Sequence, residues 1–470
     1  MRYKLQFASI LILCAFLSGC VTAPRKPEIS KEQAKKNHEV DTGPFWWGTS
    51  TSSYQNEDNH TQPGSPDYFL TDWDLFEQEG RSETKGKNAT YSWSHFDKDV
   101  EALKKLGVTH FRLSIEWARV EPQPGVFNEK AIRQYVSMVK RVKEAGIEPI
   151  VTLWHFTFPS WLYDTKDKRK ANFLHPDMPE RWRAYVTRMV QELKPYVRYF
   201  VPQNEPNGAV QLGYLGGHWP PGLLLKPFSY KKAMKVCVDT FREAADIIHG
   251  ARKDAVVMSV QSMPYWRRNF FMDPTAVTYN TMIRQNYDHL DQVQDVVDLI
   301  GINYYYSQDA TIPRFIYRPQ GERSAGYTQM GWQIDPEGIY HVIREVGDRY
   351  KKPIIIVENG IGTLNEQKRI KYFRDHINQM RRAAGDGYDI RGYFPWTLVD
   401  NYEWTEGYTT NFGLTRMDPT TKERLLEPSA YFFRNVIRSA QMTPKAQRKE
   451  TEKKPEISSP GTTTPFRLYY

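Results

Sequence analysis

The chain alternates between two kinds of hydrophobic pattern from about residue 45 to about residue 440. One is a short run of apolar, mostly β-branched residues, as in residues 354–357, which is typical of a buried strand. The other spaces apolar residues three or four apart over ten or more positions, which predicts amphipathic helices. Strands are predicted over eight segments, at 45–52, 110–116, 148–154, 199–205, 255–262, 297–305, 353–360 and 390–400.

Eight strands that alternate with helices predict an α/β fold, a single-domain (β/α)8 TIM barrel with long βα loops, over residues 42–440. An open doubly wound sheet is the alternative. No G-x-G-x-x-G or P-loop follows the first strand to favour it.

The first 20 residues have the pattern of an export signal. Arg2 and Lys4 precede an apolar run over residues 5–17, too short to span a bilayer. The following "LSGC" resembles the bacterial lipoprotein box, which implies a lipid on Cys20. An ordinary signal-peptide cysteine is the alternative. By analogy with bacterial lipoproteins, an aspartate directly after the cysteine would imply the inner membrane, but Val21 stands there. The expected product is therefore an exported lipoprotein anchored to the outer membrane or cell surface.

The segments that flank the barrel are polar. Residues 21–41 are rich in Lys, Glu and Pro and predict a flexible tether, and residues 441–470 predict a disordered polar tail. Much of the formal net charge of +9 lies in these termini, so no nucleic-acid partner is expected. With residues 1–20 as the signal and Cys20 as the anchor, Cys237 is left without a partner for an internal disulfide.

Polar and aromatic residues recur at the carboxyl ends of the predicted strands, the end at which barrel enzymes build their active sites. Each has an ordinary structural explanation by itself; Arg112, for example, could pair with Asp97 or Asp99. Together they place two carboxylates, a guanidinium, an imidazole, amides and aromatic faces at one mouth, which suits a carbohydrate. Two carboxylates across one bond are what glycoside cleavage requires. The histidines show no metal-binding spacing, and no cofactor and no metal are expected. The strand-end residues are Gln55, Arg112, His155, Asn204, Glu205, Asn303, Tyr305, Glu358 and Trp396.

These strand ends lie in a series of segments, which are in chain order "WWGTSTSSYQ", "FRLSIEWARVEP", "VTLWHFTFP", "QNEPN", "GINYYYS", "IIIVENGIG" and "GYFPWTLVDNYEWTEGY". In this order the segments resemble glycoside hydrolase family 1, the β-glucosidase and β-galactosidase family. The resemblance covers about residue 45 to about residue 439.

The resemblance implies a retaining mechanism, with Glu358 as the nucleophile and Glu205 as the acid/base. It implies that Arg112 and Tyr305 support Glu358 and keep it ionised, that Asn204 accompanies Glu205, and that the two carboxyl groups lie about 5–5.5 Å apart. For the sugar it implies a set of binding residues, namely Gln55, His155, Asn303, Trp396, Glu403 and Trp404.

Three residues depart from the family pattern and leave the sugar preference open. Pro202 stands where the family usually has Thr, Phe156 where it has Trp, and Glu116 where it has Ser. We expect Glu116 to pair with Arg112 or Arg119, or to reshape the pocket. The resemblance implies an unphosphorylated sugar, because members that act on phosphorylated sugars usually lack the glutamate that stands here as Glu403.

The expected function is hydrolysis of a terminal β-glucoside, β-galactoside or β-fucoside. A transglycosylase on the same scaffold and a catalytically weak sugar-binding lipoprotein are the alternatives. The linkage, the aglycone and the oligomeric state stay open.

Overall fold

A computed structural model describes residues 24–37, 39–58, 67–81, 90–271, 273–310 and 326–442. Eight parallel strands close into a barrel in the order β1-β8-β7-β6-β5-β4-β3-β2. The predicted TIM barrel is confirmed, and each observed strand lies within its predicted segment. The strands are β1 Trp46–Ser50, β2 His110–Ser114, β3 Glu148–Thr152, β4 Tyr199–Val201, β5 Val256–Ser262, β6 Leu299–Asn303, β7 Ile354–Asn359 and β8 Ile390–Pro395.

Each strand is followed by an outer helix. These are α1 Phe96–Leu106, α2 Glu129–Glu144, α3 Met178–Leu193, α4 Pro227–Ala251, α5 Val277–Tyr287, α6 Pro336–Tyr350, α7 Glu366–Gly385 and α8 Pro428–Met442. Shorter helices lie at Lys31–Asn37, Ser53–Asn56, Asp72–Gln78, Trp117–Val120, Ser160–Leu162, Lys168–Lys170, Asn172–Leu174, Pro206–Tyr214, Leu290–Val293, Gln294–Val296 and Trp404–Glu406. Two small sheets pair Tyr265–Arg267 with Ser307–Asp309, and Thr415–Met417 with Arg424–Leu426.

The outer helices follow from local sequence. In α2, Asn128 caps the first turn by accepting hydrogen bonds from the backbone N–H groups of Lys130 and Ala131, each at 3.1 Å. Buried residues of α2 then recur at helical spacing, as with Ile132, Tyr135 and Val139. This apolar stripe packs against the strands and fixes how the helix lies on the barrel.

The strands carry two apolar layers, because successive side chains point to opposite faces. One layer fills the barrel interior and includes Ile150, Met258, Val260 and Val357. The other lies between strands and helices. The interior is a packed core, so only the carboxyl ends of the strands are left to form a site.

The N-terminal segment contacts the end of the barrel where the strands begin. The Arg349 guanidinium at the end of α6 donates a 2.7 Å hydrogen bond to the backbone carbonyl of Arg25. Asn37 is buried and accepts a 3.2 Å hydrogen bond from Lys352, just before β7. The flexible tether over residues 21–41 stays a prediction; among its described residues, Arg25 and Asn37 contact the barrel although the average composition is polar. Cys20 and residues 443–470 lie outside the described residues. Among the described helices, none is both long and apolar enough to cross a bilayer.

Gly301 in β6 gives a test of the interior packing. A Cβ at this position would lie 2.7 Å from a methyl of Val260 and 2.8 Å from a methyl of Val357. Gly301→Ala should therefore lower the free energy of unfolding by about 1–3 kcal/mol, measured by chemical denaturation. Gly250→Ala is the matched control, since its Cβ meets nothing within 4 Å and should stabilise α4 by up to about 1 kcal/mol. Equal effects of the two changes would contradict the packed interior.

Candidate active site

A cleft of about 980 Å³ opens at the carboxyl ends of the barrel strands. Three residues of the predicted site, Arg112, Asn204 and Asn303, lie directly beneath the cleft and are almost fully buried. The structure thus brings all eleven predicted site residues of the barrel together. The predicted residues that line the cleft are Gln55, His155, Glu205, Tyr305, Glu358, Trp396, Glu403 and Trp404.

Glu358 faces the cleft because β7 contains a β-bulge. Ile355 and Val357 point to the barrel interior, so strict alternation would turn residue 358 towards the helices. The pairing with β6 shifts between Ile356 and Glu358, where β7 carries one extra residue. The bulge re-aims Glu358 inward. Asn359 then takes the outward position, where it donates a 3.0 Å hydrogen bond to the Tyr372 hydroxyl.

A buried ion pair fixes the Glu358 carboxylate. The Arg112 guanidinium donates a short hydrogen bond to Oε1 of Glu358, and the Tyr305 hydroxyl donates to Oε2 at 2.7 Å. Arg112 also donates to Asn204 Oδ1 at 2.5 Å and to Thr152 Oγ1 at 2.9 Å. The guanidinium therefore has partners on β3, on β7 and in the turn after β4.

Glu205 reaches the cleft from the end of β4. Its backbone has φ 41°, in the left-handed region, and it immediately precedes Pro206, the first residue of a helix. Its N–H donates to the carbonyl of Val260 on β5 at 3.0 Å. The carboxylate accepts a 2.7 Å hydrogen bond from Asn303 Nδ2. Backbone strain of this kind is found mostly where a side chain must be aimed at a functional site.

The two carboxyl groups differ in charge environment. Burial and the nearby Glu358 carboxylate raise the pKa of Glu205 to about 8. Burial also raises the pKa of Glu358, but Arg112 and the Tyr305 hydroxyl act in the opposite direction. Since only Glu358 contacts the guanidinium directly, a single proton shared by the pair resides on Glu205.

A second group of polar side chains lies beside the carboxyl pair. Gln55 Nε2 donates to the Tyr402 carbonyl at 2.8 Å and to Glu403 Oε2 at 3.3 Å. Burial, followed by the neighbouring carboxylates, raises the pKa of Glu403 to about 8. The His155 ring is nearly parallel to the Trp404 indole, with centroids 6.3 Å apart. This wall offers amide, carboxyl and imidazole groups together with flat apolar faces.

Burial, followed by the charge of Arg112, holds the pKa of His155 well below its usual value, so the imidazole is neutral. Its Nδ1 is buried and has no hydrogen-bond partner within the described residues.

Two sequence expectations about ion pairs are resolved by the structure. Asp99 pairs with Arg424 at 2.6 Å, so it is not the partner of Arg112. Glu116 accepts a 2.9 Å hydrogen bond from the Thr157 hydroxyl and does not pair with the Arg112 guanidinium. Arg119, the other expected partner, pairs with Glu57 at 3.0 Å.

Several residues of the site were not found from the sequence. Thr152, a partner of Arg112, could have been found, because it follows the inward-facing Ile150 by two positions on β3. The cleft is also lined by Trp266, Tyr306 and Trp332. These aromatic residues lie between the barrel strands and the outer helices, where no long periodic pattern indicates which side chains face the cleft.

The fold and the site define a carbohydrate-active enzyme with a carboxyl pair. The model of glycosyl hydrolase family 1 matches residues 39–266 and 253–442. Beta-glucosidase A of Thermotoga maritima is 28% identical over 444 residues, which cover 84% of this chain and 97% of that protein. A bifunctional beta-D-glucosidase/beta-D-fucosidase of Bifidobacterium breve is 28% identical, with 84% and 97% covered.

The solved structures agree. A β-glucosidase from Thermotoga maritima in complex with glucoimidazole superposes with a TM-score of 0.74 at 27% identity, covering 85% of this chain and 98% of that one. The chain belongs to glycosyl hydrolase family 1 and is an O-glycosyl hydrolase.

The ion pair predicts a pH-dependent loss of stability. Arg112→Met leaves Glu358 buried without its cation, which costs about 3–5 kcal/mol when the carboxylate is charged. The folded-state pKa of Glu358 then rises further above the unfolded value. A raised carboxyl pKa removes stability as pH rises from the unfolded pKa to the folded one. Denaturation curves should therefore show a larger loss near about pH 8 than near about pH 5.

The double variant Arg112→Met with Glu358→Gln is the control for this effect, because it has no buried charge left unpaired at this position. Its unfolding free energy should be higher than that of Arg112→Met near about pH 8 and should lack the added pH dependence. A pH-independent loss in Arg112→Met would show that Glu358 carries no charge in the folded protein.

Proposed function

We propose that this protein is a retaining β-glycosidase that hydrolyses terminal, unphosphorylated β-linked sugars by double displacement. The observation that carries the proposal is the carboxyl pair, in which Glu358 is held by Arg112 and Tyr305 and Glu205 by Asn303. In a retaining mechanism one carboxylate must be a charged nucleophile and the other a protonated acid. The charge environments described above match this division.

In the first step Glu358 attacks the anomeric carbon, and the bond to the leaving oxygen breaks as Glu205 transfers its proton to that oxygen. The product is a glycosyl-enzyme ester on Glu358. Glu205, now a carboxylate, next takes a proton from water. The water oxygen attacks the anomeric carbon and releases Glu358, so the anomeric configuration is retained.

The sugar would lie against the wall formed by Gln55, His155, Trp396, Glu403 and Trp404. Amide and carboxyl groups suit pairs of hydroxyls, and the indole faces suit the C–H face of a sugar ring. The names of the relatives, a β-glucosidase and a bifunctional β-glucosidase/β-fucosidase, support glucosides and fucosides as the first substrates to test. Galactosides are the third choice.

Transfer to an acceptor other than water is the second candidate. The cleft of about 980 Å³ lies at the upper end of the range for small-molecule sites, about 300–1,000 Å³. It leaves room beyond one sugar ring, beside Trp266 and Trp332, for an aglycone or an acceptor. Product analysis with and without an added sugar acceptor distinguishes hydrolysis from transfer.

We further propose that the protein is exported and anchored through a lipid on Cys20, at the outer membrane or the cell surface. The basic start, the apolar run and the "LSGC" motif support this localisation. The segment that would lead to the anchor contacts Arg349 and Lys352 at the end of the barrel opposite the cleft. An anchor attached there would leave the cleft open to large substrates.

The roles of the two carboxyl groups can be tested by removing each in turn. Glu358→Gln should lower kcat by several orders of magnitude on an aryl β-glycoside, because the covalent path is lost. Glu205→Ala should still form the glycosyl-enzyme from a substrate with a good leaving group, and azide should restore turnover as a β-glycosyl azide. For Glu358→Ala, azide should give the α-glycosyl azide. Products of the opposite anomeric form would show that the two roles are reversed, and unimpaired Glu358→Gln would refute the mechanism.

The anchor can be tested with two cysteine variants of the full chain. Cys20→Ser should abolish lipidation, so the protein no longer partitions into detergent. Cys14→Ser, within the predicted signal, should leave partitioning unchanged and is the matched control. If Cys20→Ser and the parent protein partition identically into the aqueous phase, the lipoprotein proposal is wrong.

A further inference from the structure

Glu116 is a buried carboxylate that lies behind the residues of the cleft, with 1% of its surface exposed. It accepts a hydrogen bond from the Thr157 hydroxyl, with its two oxygens at 2.9 and 3.1 Å. It also accepts from the Ala118 N–H at 3.2 Å and from the Ser53 hydroxyl at 3.4 Å. A buried carboxylate is costly unless such partners surround it, so these contacts have to be kept together.

Two of these partners belong to the segments that form the sugar-binding wall. Thr157 follows His155 by two residues in the loop after β3. Ser53 begins the short helix that carries Gln55 after β1. Glu116 itself follows β2, between these two strands in the barrel. The carboxylate therefore joins two neighbouring loops whose side chains face the cleft.

The loop after β3 needs such support because of its backbone. Phe156 has φ 75°, which a residue with a Cβ adopts only when its surroundings enforce it. Its ring packs against Trp404 and Trp219, with centroids 5.2 and 4.8 Å away. On the next residues, Thr157 is held by Glu116, and the Phe158 N–H donates to Asp72 at 2.8 Å. These anchors keep Phe156 against Trp404.

We propose that Glu116 is a positioning residue of the sugar pocket: through Thr157 and Ser53 it fixes where His155 and Gln55 meet the sugar. The inference rests on the proposed sugar-binding roles of those two residues. It also accounts for a departure from the family pattern, because the residue that replaces a serine at this position serves the pocket from behind. The effect is on the placement of hydrogen-bonding groups, which matters most for discrimination between sugars that differ in one hydroxyl.

Thr157 offers the sharpest test, since it can lose its hydroxyl without losing its shape. Thr157→Val should lower kcat/KM on an aryl β-glucoside by about 10-fold, because a small displacement of the binding groups weakens transition-state contacts. It should also reduce the ratio of kcat/KM between the preferred sugar and its epimers. Thr157→Ser keeps the hydroxyl and should stay within about twofold of the parent protein.

The role of the Glu116 carboxylate is tested by the same two measurements, kcat/KM and the selectivity between sugars. Glu116→Ala should reproduce the loss of selectivity, and adding Thr157→Val to it should cause little further change, because both act through one contact. Glu121→Ala is the matched control. Glu121 lies at the end of the same short helix and is equally buried. It accepts hydrogen bonds from Trp117 Nε1 and the Gly125 N–H, each at 2.8 Å, away from the cleft. This substitution at Glu121 should change the stability of the protein and leave its activity and sugar selectivity unaltered.

Glu116→Ala variants that melt at a lower temperature but keep the kcat, the KM and the sugar selectivity of the parent would overturn the inference, because a merely structural role predicts that result. Equal effects of Thr157→Val and Thr157→Ser would overturn it as well. Failure of the proposed function is a separate outcome, seen as full activity in Glu358→Gln. If Glu358→Gln is inactive, and Thr157→Val and Thr157→Ser have equal effects, the proposed function stands and only the positioning role of Glu116 is refuted.

Discussion

The buried ion pair between Arg112 and Glu358 is the constraint on which the site depends. A guanidinium stays charged at any working pH, and Arg112 has none of its surface exposed. Such a charge is stable only if carboxylate and hydrogen-bonding partners surround it. Its partners come from β3, from β7 and from the turn after β4. The barrel therefore has to close in one register for the charge to be paired, and that register also sets where Glu205 and Glu358 stand.

The bulge in β7 follows from the same requirement. If this sequence paired without the bulge, strict alternation would present Asn359 to the guanidinium and turn Glu358 towards the apolar layer under the helices. A carboxylate there would be buried without a cation. With the bulge, Glu358 meets Arg112 while Asn359 hydrogen-bonds Tyr372 and accepts from the Tyr393 hydroxyl at 2.6 Å. One local irregularity thus satisfies both side chains.

These features show what could be predicted from the sequence and what could not. The strands were predictable because β-branched runs such as residues 354–357 favour extended, buried backbone wherever they occur. That Glu205 and Glu358 belong to one site followed from their places at strand ends in a barrel, and their proposed roles came from the family resemblance.

The bulge was not predictable, because it depends on how β7 pairs with both neighbours. The contacts of the N-terminal segment were missed for a related reason, since composition averages over a residue such as Asn37 that is buried individually.

The acidic groups in the cleft differ in how easily each one loses its proton. Glu358 is buried and Glu205 and Glu403 are partly buried near it, and one guanidinium contacts only Glu358 directly. The pKa of Glu205 and that of Glu403 are each raised to about 8. Under the proposed function, a bound sugar changes the pKa values of these two carboxyl groups in different ways. Its hydroxyls donate to Glu403 and stabilise the charged form there.

Glu205 receives less compensation. Its hydrogen bonds with Asn303 and Ser262 lower its pKa, but burial and the repulsion from Glu358 outweigh them. As a sugar displaces water from the cleft, that repulsion acts through a medium of lower dielectric constant and becomes stronger. The proton is thus held on Glu205, next to the place where the leaving oxygen would lie in the proposed mechanism. In the proposed mechanism, the position of a single arginine on β2 determines which carboxyl attacks and which one donates its proton.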